Sequence, residues 1–164
     1  MTNENKPAFA RRMLDLSAGL CVTVAGVGLV VLIAIFGWLV WGRYVLNDTP
    51  TWVEQMALML VVWITFLGAA AGVWGRSHLS VDFLRDMFPA PIAKTMTWLA
   101  YVGVLAFSVC LAWQGWVLTE NTWARHVPIL GVPEGMRALP MAICGVLSTI
   151  YTLQQMLDFA KGRV

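Results

Sequence analysis

Four stretches of this chain, residues 16–42, 55–75, 95–119 and 138–157, contain no Asp, Glu, Lys or Arg. A helix rises about 1.5 Å per residue, so each stretch is long enough to cross the roughly 30 Å of hydrocarbon in a bilayer. In lipid every backbone N–H and C=O must find a partner inside the protein, and a single segment achieves that only as a helix. The sequence therefore predicts an all-α membrane protein with four transmembrane helices, at about 16–42, 53–75, 92–118 and 138–157. These spans take up 97 of the 164 residues and leave only short stretches between and beside them, so a single four-helix transmembrane domain over 1–164 is expected. Only 12% of the residues are charged, against about a quarter in a soluble domain.

Lys6, Arg11 and Arg12 precede the first run, as in a secretory signal. The run is much longer than the apolar core of a signal peptide, about 7–15 residues, and reads as an uncleaved first span. Cys21, Cys110 and Cys144 lie inside apolar runs without C-x-x-C spacing, which argues against a metal site or disulfides. A net charge of +2 gives no electrostatic footprint for nucleic acid.

The ends of the spans are chemically marked. Trp38, Trp41 and Tyr44 close the first, in the interfacial belt that amphipathic rings prefer. Asn47-Asp48-Thr49-Pro50 is a turn signal, with Thr51 as the expected N-cap of the second helix. Phe9, Met13 and Leu14 suit a tail lying on the membrane surface. Leu79, Phe83 and Met87 recur every four residues among polar neighbours, predicting a short interfacial amphipathic helix over about 79–88 that Pro89 and Pro91 stop. Of the 11 Lys and Arg, eight fall in the N-terminus, second loop and C-terminus and three (Arg43, Arg125, Arg137) in the first and third loops. The positive-inside rule then puts both termini and the amphipathic helix in the cytoplasm, with Trp52, Glu54 and the Pro/Gly-rich loop before the fourth span outside.

A charge in the middle of a span is the usual mark of an ion path, and none is present. Nor is there the pair of Gly/Pro-interrupted spans of a coupled transporter. His78 and His126 fall at or beyond span ends on opposite sides, where they cannot ligate one haem within the bilayer. A structural or accessory membrane subunit is the reading this leaves, with no metal or cofactor. Two other classes fit the sequence less well. A self-sufficient four-helix exporter needs an acidic residue in its first span, which 16–42 lacks, and a membrane anchor of a redox enzyme needs haem ligands inside its helices.

The residues that stand out are consistent with partner contacts. Gly68 and Gly72 form G-x-x-x-G in the second span, a spacing that lets helix backbones approach closely. Glu54 in the first turn is either helix-dipole stabilised or paired with a basic group of a partner. His78 and Asp82, spaced i and i+4, can meet on one helix face.

Trp52-x-Glu54, Trp63-x-x-Phe66-Leu67-Gly68-Ala69 and His78-x-x-Val81-Asp82, in this order, resemble the signature of the small membrane subunit, DctQ type, of tripartite ATP-independent periplasmic (TRAP) transporters. Pro128 to Pro133 followed by Leu139-Pro140 resembles that family's segment before its last helix. One departure stands out: the family often has two consecutive acids where this chain has Glu54-Gln55. The resemblance implies a small permease subunit of a sodium-coupled organic-acid uptake system (dicarboxylate, sialic acid or similar) in the bacterial inner membrane. It implies a large membrane subunit holding the substrate and sodium sites, and a periplasmic substrate-binding protein that delivers substrate. Trp52, Glu54, Trp63, Gly68, Gly72, His78 and Asp82 are the residues expected to contact partners.

Overall fold

In the computed structural model of the chain, residues 5–47, 50–75, 90–127 and 130–160 are described, without the side chains of 5–10 and 90–93. The expected interfacial helix, with His78 and Asp82, lies outside the described residues.

Four helices account for most of the described chain: α1 (Asn5–Trp41), α2 (Trp52–Trp74), α3 (Ala90–Thr122) and α4 (Gly135–Ala160). All four are long and apolar enough to span a bilayer. The expected span at 53–75 coincides with α2 to within one residue, whereas the others fall short of their helices; α1 and α3, with 37 and 33 residues, are about 55 and 50 Å long and run past the hydrocarbon. In particular, residues 5–15 do not form a separate surface-lying tail but continue α1. The reason is tertiary: Leu14 packs on the core, and Arg11 and Asp15 bond side chains at the ends of α4 and α2.

The first connection opens with one π turn (Gly42–Leu46), in which the Asn47 N–H reaches back to the Gly42 carbonyl. Asn47 has φ 54°, a left-handed conformation that Asn adopts at lower cost than most residues, so the helix stops there. Thr51 occupies the N-cap position of α2 but, against expectation, makes no side-chain cap bond. Its backbone is already helical (φ −66°, ψ −21°), whereas a capping side chain needs an extended backbone to reach the first free N–H groups.

Extensive packing joins α1 to α2, α2 to α4, and α4 to α3, so the helices stand in the order α1, α2, α4, α3. Lipid tails are as apolar as Leu, so such a layer can leave both faces bare without the penalty that water would impose. The buried core, Ala18, Ala70, Cys144 and Tyr151 with Phe66 and Leu147 against it, lies where α1, α2 and α4 meet. Both ends of the described chain lie at one end of the layer, because Arg11 in α1 pairs with Asp158 in α4 at 2.8 Å. There Tyr151 shares a hydrogen bond with Ser17 (2.8 Å), Trp74 donates to Asp15 (2.7 Å), and Gln155 Nε2 donates to the free carbonyls of Val73 (2.9 Å) and Trp74 (3.2 Å) that end α2. Trp98 and Tyr101 of α3 meet the ring of Phe159 at 6.0 and 5.9 Å.

The tightest packing joins α3 and α4. A Cβ on Gly115 would lie 2.6 Å from the Ala142 nitrogen, and one on Gly145 would collide with the backbone of Ala112. Hydroxyls within the helices turn back on their own backbone: Thr65, Ser108, Thr119 and Thr152 each donate to the carbonyl four residues earlier.

Candidate subunit interface

α2 carries five of the seven residues expected at partner contacts, and the structure divides them between two sides. Glu54, Gly68 and Gly72 share one face with Leu58, Val61 and Thr65, at successive spacings of four and three. All six are exposed except Gly72, which is half-buried. Among the described residues, no atom comes within 4 Å of a Cβ built on Gly68 or Gly72, in contrast to Gly115, Gly135 and Gly145. A glycine inside a helix costs roughly 1 kcal/mol relative to Ala. Packing among the described residues gives no return for the two in α2. This face is therefore shaped for close approach, and none of the described residues packs upon it. Glu54 stands at its N-terminal end, and no described side chain bonds it.

Trp52 and Trp63 project from the other side of α2. Trp52 is exposed at the first residue of the helix, a position suited to the headgroup region. Trp52 and Trp74, 22 residues apart, bracket about 33 Å, close to the hydrocarbon thickness.

Trp63 has a role inside the chain that its motif did not suggest. Pro140 lies within α4 and has no N–H, so the Met136 carbonyl four residues earlier loses its helical donor. The Trp63 indole N–H supplies the missing bond at 3.1 Å. A proline six residues into a helix and a tryptophan in a neighbouring span were both visible in the sequence; their pairing needed the fold.

Beside this contact, Arg137 in the first turn of α4 reaches α2. Its Nη2 donates to the Gln55 side-chain oxygen and, at 3.4 Å, to the Gln55 carbonyl. The loop preceding α4 is ordered by Val127 N–H to the Val132 carbonyl (2.9 Å), Glu134 N–H to the Arg125 carbonyl (2.7 Å), and a turn at Gly131 with φ +63°. His126 pairs with Pro133 there and is exposed. His78 and Asp82 lie outside the described residues, so their expected pairing stays an expectation. Among the described residues, no three His, Cys, Asp or Glu side chains gather as metal ligands would.

Sequence comparisons agree with this architecture. The family of tripartite ATP-independent periplasmic transporters, DctQ component, matches residues 32–162. The chain is 33% identical over 86 residues to the C4-dicarboxylate TRAP transporter small permease protein DctQ of Vibrio cholerae, covering 49% of this chain and 37% of that one. It is 21% identical over 130 residues to the sialic acid TRAP transporter small permease protein SiaQ of the same organism, covering 79% and 75%. A third relative, the isethionate TRAP transporter permease protein DctMQ of Oleidesulfovibrio alaskensis, is 25% identical over 107 residues; these are 64% of this chain but 17% of that much longer one. With four apolar helices and a family match over residues 32–162, the chain belongs to the DctQ component family of tripartite ATP-independent periplasmic transporters.

Proposed function

We propose that the chain is the small permease subunit of a sodium-coupled organic-acid uptake system, bracing a large membrane subunit through the bare face of α2. The observation that carries this reading is the pair Gly68 and Gly72, exposed or half-exposed, unapproached, and in line with Glu54. The much longer permease relative supports a large membrane partner, since a DctQ-like segment there is one part of a single chain. The uncharged spans support the division of labour: substrate and sodium are handled by the large subunit, and this chain supplies a surface. Both termini are cytoplasmic in this reading, which turns Glu54 and the 123–134 loop outward, where a periplasmic substrate-binding protein docks.

The test is recovery of the complex. The chain, tagged and expressed with its neighbouring genes, should bring down a large membrane protein in mild detergent. Glu54→Ala should lower that recovery, or substrate uptake, more than Gln55→Ala. Recovery of the chain alone would count against the proposal.

A further inference from the structure

Arg137 carries a charge that its surroundings leave unbalanced. It is the third residue of α4, at the positive end of the helix dipole, where a cation is disfavoured. Its guanidinium is half-buried against α2, and the Nε is fully buried with no acceptor. Nε and Nη2 lie on one edge of the guanidinium, an edge that matches two oxygens of a single oxyanion. Here the Gln55 amide oxygen, neutral and single, occupies only the Nη2 half of it. No carboxylate among the described residues bonds Arg137; Glu54 and Glu134, the acids nearest in sequence to Gln55 and Arg137, do not. Arg11, the other arginine among the described residues that ties two helices together, has Asp158.

The missing partner is therefore an oxyanion, and depth in the membrane narrows its source. Gln55 is in the first turn of α2, three residues after the exposed Trp52, so Arg137 sits at headgroup level. The oxyanion always present at that depth is the phosphodiester of a phospholipid. A headgroup of net negative charge suits the site best, because it brings no ammonium to compete with the guanidinium. We propose that Arg137, held by Gln55, is a binding site for the phosphate of an anionic phospholipid, at the end of the layer where α2 and α4 begin.

The full chain, purified in mild detergent, is presented with phosphatidylglycerol or phosphatidylcholine, and bound lipid is counted by native mass spectrometry. The wild type should retain phosphatidylglycerol in preference to phosphatidylcholine, and Arg137→Gln should weaken that retention about tenfold, the scale of one charge-assisted hydrogen bond. Gln55→Glu should raise the thermal midpoint, by supplying the second oxygen from within, and yet weaken phosphatidylglycerol retention to a similar degree. That opposed pair of effects is not expected of an arginine that only holds helices together, and it keeps the test decisive if Arg137→Gln fails to fold. Equal retention of phosphatidylglycerol by wild type and variants would overturn the site. So would equal retention of the two lipids by the wild type, or a rise in its thermal midpoint with inorganic phosphate alone as large as with phosphatidylglycerol. Unchanged lipid binding in Arg137→Gln, together with loss of the co-purified large subunit, would assign the oxyanion to a partner's carboxylate instead.

Discussion

Individual polar side chains fix how these helices sit, because each one satisfies a group that lipid cannot. Trp63 is the clearest case. Trp63→Phe should leave the Met136 carbonyl unpaired and cost about 1–3 kcal/mol, read as a lower thermal midpoint in detergent. Pro140→Ala restores the helical donor, so the cost of Trp63→Phe should shrink in that background; an equal cost in both would refute the pairing. The Arg11 and Asp158 pair predicts an asymmetry. Arg11 is 46% exposed and Asp158 only 7%, so Arg11→Ala strands a buried carboxylate whereas Asp158→Ala leaves an arginine that water can solvate. Arg11→Ala should therefore lower the thermal midpoint more than Asp158→Ala does, and the reverse order would contradict the burial. Neither arrangement could be read from sequence. Arg11 looked like a topology signal, and Asp158, one residue past an uncharged run, showed nothing of its partner 147 positions away.

Elements were legible where lipid imposes a hard rule and illegible where it imposes none. The absence of charge over residues 16–42, 55–75, 95–119 and 138–157 located all four helices, because an unpaired charge or an unbonded backbone is costly at those depths. It could not order them in space: a helix apolar all round has no face that sequence marks as inward. Small residues were the usable signal. Gly68 and Gly72 form the G-x-x-x-G spacing in α2, yet among the described residues a close approach of helices is made by Ala112 and Gly115 of α3 with Ala142 and Gly145 of α4. The two kinds of glycine predict different outcomes. Gly145→Leu drives a side chain into the Ala112 backbone and should lower the thermal midpoint of the isolated chain. Gly72→Leu meets open space, so the isolated chain should unfold as the wild type does while recovery of the complex falls. Loss of stability in Gly72→Leu alone would show that the face is used within the chain.

The described residues form a layer of four helices, α1, α2, α4 and α3, with little interior and much exposed apolar surface. That shape suits a subunit that presents a surface in the membrane more than one that encloses a path. The proposed orientation has its own test. In a cysteine-free background, a cysteine at Glu54 should react with a membrane-impermeant thiol reagent in intact cells, and one at Ala160 only after the membrane is opened; the opposite pattern would invert the topology. Most direct is a photo-crosslinking scan of the chain expressed with its neighbouring genes. The probe is placed at Thr65 and Gly68 on the bare face of α2 and at Val30 in α1 and Phe107 in α3, which are also exposed. Crosslinks to a large membrane subunit from Thr65 and Gly68, well above those from Val30 and Phe107, are the predicted result. Crosslinks to that subunit only from Val30 or Phe107, or from none of the four positions, would contradict a subunit that docks through α2.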